Sequence, residues 1–388
     1  MLDGLKVIVI GAGIGGLAVA RALALRGADV TVLEQAAEIT EVGAGIQISP
    51  NGLAVLRALG LEAELEAGGA VLADTVALKD YRGGAVLDLD LTQLSPHKYY
   101  FVHRADLIDL LAQGARAAGV KIQLLQKVEA VEDGAVGQVI LRGGARREAA
   151  LVVGCDGVHS RVRPALNGPS EPFFTGHAAW RATVPNLWGR RSDVQVHMGP
   201  GRHLVSYPIC GGARVNLVAV QEQQSWVAES WTLADSPANL RAAFHDFGPE
   251  AQAMLAAVQS VHYWGLFRHE VAARWHGQSL AVLGDAAHPT LPFLAQGAVM
   301  ALEDAYGLAQ SLAGADGLQE GLAAYQQLRA ARAQKVVRTA TGNARKYHLS
   351  FGPLRFAAHS VLRLGGAVAP RAMLRQFDWL YGYDITQI

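Results

Sequence analysis

Cysteine is nearly missing from this 388-residue chain, which carries only Cys155 and Cys210. The two stand in different segments without metal-ligand spacing, so neither a disulfide framework nor a thiolate metal site is expected, and a reducing, cytoplasmic setting fits. Net charge is missing too, because 34 Lys and Arg residues balance 34 Asp and Glu. With no long basic block either, nucleic acid is not an expected partner. Membrane-length apolar runs are absent. Leu354–Ala369 comes closest, but arginines, a histidine and glycines interrupt it. The N-terminus reaches the apolar stretch Val7–Ile10 at once and breaks at Gly11, unlike a signal peptide or a span. His269-Glu270 is followed by His276, which is not the metalloprotease spacing, so no metal is expected. No internal repeat or low-complexity tract occurs.

What is present is a 51% hydrophobic chain, enough to bury a sizeable core in two closely packed domains. Lys6–Ile10 reads as a buried parallel strand, Leu17–Arg26 as a helix stopped by Gly27, and Asp29–Leu33 as a second strand ending at Glu34. Between the first strand and the helix lies GAGIGG, Gly11–Gly16. Gly11 permits the tight turn, Gly13 lets backbone approach a pyrophosphate, and Gly16 allows close helix packing. The helix N-terminus then meets phosphate charge, and Glu34 can accept hydrogen bonds from a ribose. This unit binds a dinucleotide but does not choose between NAD and FAD.

Further along, Asn51–Leu59 and Asp106–Ala118 read as helices, and Val76–Leu91 as a hairpin turning at Arg82-Gly83-Gly84. From His177 the texture becomes strand-turn-strand, with strands at His177–Val184, Val194–His197, Leu204–Ile209 and Arg214–Val220. The α/β pattern returns with strand Leu280–Leu283 and a helix over Gly297–Leu312. That strand delivers Asp285 of GDAAHP (Gly284–Pro289) to its C-terminal end, where parallel sheets bind ligands. A carboxylate there can hold ribityl hydroxyls, and the helix after Gln296 can stabilise the anionic N1–C2=O edge of a reduced flavin. An isolated Gly-Asp pair would equally serve as a helix cap or ion-pair partner.

With CDGVHSRVR (Cys155–Arg163) between the other two, the three segments resemble the GxGxxG, DG and GD motifs of the single-component FAD-dependent aromatic hydroxylases. The resemblance runs over almost the whole chain, through VGAGIQISPN (Val42–Asn51), VHRADL (Val102–Leu107) and LPFLAQGAVMALEDA (Leu291–Ala305). FDWLYGYD (Phe377–Asp384) is similar to the salicylate and 6-hydroxynicotinate hydroxylase branch, close to the 3-hydroxybenzoate 6-hydroxylases. It implies an α/β fold: a Rossmann-like FAD-binding domain of the p-hydroxybenzoate hydroxylase type, interrupted by a mainly antiparallel substrate sheet, with C-terminal helices. The expected division is 1–75, 100–170 and 271–345 for FAD, 76–99 and 171–270 for the sheet domain, and 346–388 for the helical end. The implied reaction hydroxylates a small phenol or hydroxypyridine, with or without a carboxylate, using NADH or NADPH and O2 through a flavin C4a-hydroperoxide. A homodimer is the candidate assembly.

The resemblance also assigns residues. Gly11, Gly13, Ile14, Gly15, Gly16, Glu34, Gln35, Gly45, Gln47, Arg104, Val128, Asp156, Arg163, Asp285, Gly297, Ala298 and Val299 are expected at the cofactor. His203 and Tyr207 match the family's His-x-x-x-Tyr-Pro substrate-facing pair, and strand alternation puts positions 203, 205 and 207 on one face. A histidine can take the substrate's proton and a tyrosine can orient the ring. By composition alone, both would equally serve as sheet residues. Trp180-Arg181 can reach a substrate carboxylate or simply pack in the sheet. Pro292-Phe293 stands where some relatives carry a polar residue, which implies an apolar pocket wall. His288, inside the flavin motif, is expected to be structural or flavin-proximal. The tryptophans at 180, 226, 231 and 264 form no halogenase motif. The rival readings are a flavin hydroxylase or epoxidase of a larger tailoring substrate, and an FAD-dependent reductase or redox binder.

Overall fold

Val7–Ile10 is apolar on every residue, so it is stable only with both faces covered, as in the centre of a parallel sheet. In the computed structural model, which describes residues 2–39, 44–94, 98–190, 192–223 and 234–388, Lys6–Ile10 is that central strand. Five parallel strands run in the order Leu280–Val282, Leu151–Gly154, Lys6–Ile10, Asp29–Leu33, Lys121–Gln123. Helices Ile14–Ala24, Arg104–Ala117 and Gly297–Gly314 pack with this sheet into the largest core. Residues 42 and 43 of the Val42–Asn51 segment lie outside the described residues, as do Trp226 and Trp231.

The first helix starts at Ile14 rather than Leu17. Glycine disfavours helix interiors, yet Gly15 and Gly16 sit in the first turn because the fold needs them small. A Cβ on Gly15 would lie 2.7 Å from Leu283 Cδ1, and one on Gly16 would overlap the Gly11 carbonyl. Close packing outweighs propensity here.

The second layer is an eight-stranded sheet, ordered Ala234–Asp235, Val261–Arg268, Phe173–Pro185, Arg214–Glu222, Arg202–Ile209, Asp193–Gly199, Thr75–Asp80, Ala85–Asp90. It is antiparallel except where Asp193–Gly199 pairs parallel with Thr75–Asp80, which joins the early hairpin to the later strands. The expected strand His177–Val184 extends back to Phe173, with a register shift between Phe174 and Ala178 where Gly176 takes φ +75°. Val261–Arg268 escaped the sequence reading because VHYWGLFR lacks clean alternation; it pairs with Phe173–Pro185 and is part of the site wall.

The 30-residue helix Leu318–Tyr347 also carried no sequence-level prediction; it straps the two layers together, followed by Gly352–Val368. Its Arg329 forms buried ion pairs with Glu303 (2.6 Å) and Asp304 (2.8 Å) on helix Gly297–Gly314, and Arg332 reaches Glu303 at 2.8 Å. His288 bonds Asp304 from the loop after Gly284. Burial alone would raise the Asp304 carboxyl, but His288 and Arg329 hold it down at about 2. These charges have exchanged water for one another, so removing Arg329 leaves Glu303 and Asp304 buried with one cation fewer. Among the described residues no helix is long and apolar enough to cross a membrane.

Candidate active site

Between the C-terminal ends of the parallel strands and one face of the eight-stranded sheet lies a cavity of about 690 Å³. Ligands of open parallel sheets bind at this edge. Its nucleotide end is built by the glycine loop. Gly11 has φ +99°, and a Cβ there would lie 2.6 Å from the Cys155 carbonyl oxygen, so glycine is required for conformation and for space. Gly13 meets nothing within 4 Å and lines the cavity with Ile14 and Gly15. Helix Ile14–Ala24 has no side-chain cap and no acidic residue in its first turn, so its free amides and positive dipole end face the cavity. Glu34 accepts from the Ala12 and Ala36 amides, both at 2.8 Å, which braces the loop and leaves further lone pairs toward the cavity. Gln35, Arg104 and Val128 complete this end.

A second uncapped helix opens onto the same space. Gly297 and Ala298 begin Gly297–Gly314 and line the cavity. The preceding turn is held in an uncommon shape: Ala295 is left-handed at φ 52°, and buried Gln296 donates to Ser49 Oγ at 2.9 Å while accepting from Asn51 at 3.0 Å. Strain of this kind persists where surroundings over-determine it. Asp285 and Asp156 add two carboxyls. Asp285 is exposed to the cavity yet surrounded by protein; burial raises its pKa, while His288 and Arg104 partly offset that. Burial raises Asp156 as well; one oxygen accepts from the Arg161 amide at 2.6 Å and the other is buried with no hydrogen-bond partner. A buried orphan acceptor signals a missing donor, and ligand hydroxyls would supply one. These features fit a flavin dinucleotide.

The far wall is the sheet. Cross-strand register aligns Arg181 with Val218 and Val218 with Val205, and His203 and Tyr207 flank Val205 on its strand. All five line the cavity. His203 and Tyr207 are separated by ~13 Å of strand, so they line separate parts of the wall rather than stack together. Gly45 packs against Tyr207, where a Cβ would come within 2.6 Å of its ring, and Tyr99 donates to Gln47 at 2.7 Å. Burial pushes the Tyr207 hydroxyl well above its ordinary range, against smaller downward pulls from Arg181 and Gln47. Arg181 lies 5.1 Å over the Trp264 ring, whereas its neighbour Trp180 points the other way and donates to Asp235 at 2.7 Å. Burial holds His203 well below the usual imidazole range, with His348 and His177 adding to the effect.

Four predicted residues stand outside the cavity wall. Gly16 serves packing. Arg163 is buried and spends its guanidinium on the carbonyls of Glu270 (2.7 Å), Ala286 (3.1 Å) and Ala287 (3.2 Å), pinning the Asp285 loop instead of facing a ligand. Arg161, two residues earlier at the helix start, lines the cavity in its place. Val299 turns its side chain onto Gly52. Phe293 lies one layer back, with its ring 5.2 Å from His203; Pro292 and Leu291 form the apolar wall. His288 lies outside the cavity and serves the Asp304 network. Sequence reasoning missed Arg161, Trp264 and Leu291 at the wall and His348 behind it; Arg161 and Leu291 carried a signal, their places in segments that bear the family resemblance. Among the described residues, His177, Glu222 and His348 bring potential metal-ligand atoms within 4.8 Å of one another. Both His348 ring nitrogens are already bonded and Arg202, Arg268 and Arg345 line the space beside them, so the group is poorly suited to a cation.

The FAD binding domain family matches residues 4–340. The chain is 35% identical to the 3-amino-4-hydroxybenzoate 2-monooxygenase of Streptomyces platensis, covering 99% of this chain and 97% of that one. It is 35% identical to the 6-hydroxynicotinate 3-monooxygenase of Bordetella bronchiseptica, covering 87% and 91%. Among solved structures, Klebsiella pneumoniae HpxO complexed with FAD and uric acid superposes with a TM-score of 0.85 at 26% identity, covering 98% of each chain.

Proposed function

The chain belongs to the single-component FAD-dependent aromatic hydroxylases, and on that premise we propose that it hydroxylates a small aromatic or hydroxypyridine carboxylate bearing a ring hydroxyl, with O2 and NADH or NADPH as co-substrates. When bound, FAD supplies the redox chemistry, taking electrons from the reduced nicotinamide and activating O2. The protein's own part is binding, positioning and control of charge.

The parallel-sheet portion takes the cofactor. The Gly13 loop and the first-turn amides of Ile14–Ala24 hold the pyrophosphate, Glu34 and Gln35 the adenosine ribose, and Asp285 the ribityl chain. Arg104, Val128 and Asp156 enclose the dinucleotide, while Gly45, Gln47 and the Gly297–Ala298 amides face the ring system. The eight-stranded sheet takes the substrate. Arg181 pairs with its carboxylate, His203 accepts its hydroxyl proton, and Tyr207 orients the ring through its hydroxyl. Deprotonation matters because a phenolate is more electron-rich than a phenol and therefore reacts faster with an electrophilic oxygen. Pro292, Leu291, Val205 and Val218 give the reacting ring an apolar surround that keeps water, and the side reactions it promotes, away from it.

The observation that carries this reading is that the sheet face bearing Arg181, His203 and Tyr207 closes the same cavity onto which both uncapped helix N-termini open. The test is a panel of hydroxybenzoates, aminohydroxybenzoates and hydroxynicotinates, each beside its neutral amide, assayed for stimulated NADH and NADPH oxidation by the FAD-loaded protein. The acids are expected to stimulate and the amides not. Equal stimulation by acids and amides would contradict the carboxylate assignment.

A further inference from the structure

His203 does not end in the sheet. Its Nδ1 lies 2.7 Å from Nε2 of His348, and Nδ1 of His348 lies 3.2 Å from Oε1 of Glu222. His203 and His348 are buried, at 1% and 3% exposure, whereas the Glu222 side chain is 53% exposed. Glu222 opens onto a second cavity of about 730 Å³ that also contains His177, Arg202, Arg268 and Arg345. We propose that His203, His348 and Glu222 form a proton path from the substrate's hydroxyl to solvent. The proposal rests on the reading that His203 meets that hydroxyl.

Hydrogen-bond chemistry sets the direction. A carboxylate accepts and does not donate, so His348 carries its proton on Nδ1, toward Glu222. Its Nε2 is then a bare lone pair, and the 2.7 Å contact requires His203 to donate from Nδ1. That leaves Nε2 of His203 as an acceptor, and His203 lines the active-site cavity. The surface carboxylate thus dictates, through His348, the tautomer that His203 presents to the substrate.

Burial also explains why a path is needed. It lowers His203 far below its ordinary range and His348 to about 3, so neither ring holds an extra proton near neutral pH. Each can still pass one on. The substrate O–H bond breaks as a bond to His203 Nε2 forms; His203 Nδ1–H passes to His348 Nε2; His348 Nδ1–H passes to Glu222 Oε1. The products are a phenolate and a protonated Glu222, which exchanges with water, and both rings end neutral in the other tautomer. The same three transfers in reverse protonate the product phenolate and reset the rings. No oxidant is involved.

The experiment uses the FAD-loaded protein and 4-hydroxy-3-nitrobenzoate, whose phenol and phenolate absorb at different wavelengths. A stopped-flow pH jump follows ionisation of the bound probe. Glu222→Gln and His348→Gln are expected to slow it about 10²-fold, with probe affinity changed less than twofold, and added formate should restore the rate in Glu222→Ala. Glu222 is on the surface, so its variants decide the matter even where His348→Gln fails to fold. Wild-type rates in both Glu222 variants, or slowing that formate does not reverse, would overturn the path. If His203→Ala is slow while the Glu222 variants are not, His203 remains the base and the path alone fails. A wild-type rate in His203→Ala would overturn the base itself.

Discussion

Gly13→Ala separates cofactor binding from folding more cleanly than any other change at the site. Gly13 caps the first helix at φ −77°, ψ −175°, which any residue adopts, and an added Cβ meets nothing within 4 Å. Alanine loses less chain entropy on folding than glycine, worth ~0.4–1 kcal/mol, but is a poorer N-cap by roughly 0.5–1 kcal/mol. The two nearly cancel, so the FAD-free protein should unfold within about 1 kcal/mol of wild type. Binding is another matter, because the methyl occupies the space through which the backbone approaches a pyrophosphate. Displacing that group from two first-turn amides forfeits two charge-assisted hydrogen bonds at ~1.5–3 kcal/mol each, or roughly 10²–10⁴-fold in Kd. Flavin fluorescence titration gives the Kd, and thermal unfolding of FAD-free protein gives the stability. Gly16→Ala is the contrasting variant: its Cβ would overlap the Gly11 carbonyl, so folding itself should suffer. An unchanged FAD Kd in a folded Gly13→Ala protein would refute the placement of the pyrophosphate.

Arg181→Met should raise KM for a carboxylate substrate by roughly tenfold or more while leaving the FAD Kd unchanged, the loss of one charged hydrogen-bonded partner; steady-state kinetics and a flavin titration check both halves. Arg329→Met leaves Glu303 and Asp304 short of their shared cation and should cost about 3–5 kcal/mol, read by urea unfolding. Acid should destabilise the protein through its buried histidines. His197 is lowered by burial to about 4 and His348 to about 3. Their folded values lie below the unfolded value of roughly 6.5, so below that pH the unfolded chain binds protons the folded one refuses. Each then removes about 1.4 kcal/mol of stability per pH unit, down to its folded value. Urea unfolding at pH 7, 6 and 5 should show this slope, and His197→Gln should flatten it; a flat wild-type profile would contradict it.

Much of the scaffold was legible because apolar periodicity is strong there. Lys6–Ile10 and Asp29–Leu33 occur with the expected bounds, and the alternation that separates Arg181 from Trp180 is the pleat of a single strand. What eluded the sequence was decided by packing between distant segments. A motif locates CDGVHSRVR at the cavity but does not say which arginine faces it; helical geometry turns Arg163 inward to three carbonyls and leaves Arg161 at the wall. Phe293 reads as wall from its position beside Pro292, yet the short turn at Pro292–Leu294 rotates it behind His203. His348 carried no signal at all, being one histidine at a helix end, brought to His203 only by the path of the long helix before it.

On the proposed reading, this cavity joins FAD, a reduced nicotinamide and an aromatic acid in a reaction that puts oxygen on the ring. Mass spectrometry of the product formed from an activating aromatic acid under 18O2 tests it most directly. One 18O atom per ring is expected, formed in step with NADH or NADPH consumed. Nicotinamide oxidation indifferent to every aromatic acid, yielding only hydrogen peroxide and no labelled ring, would contradict it and leave a flavin reductase in its place.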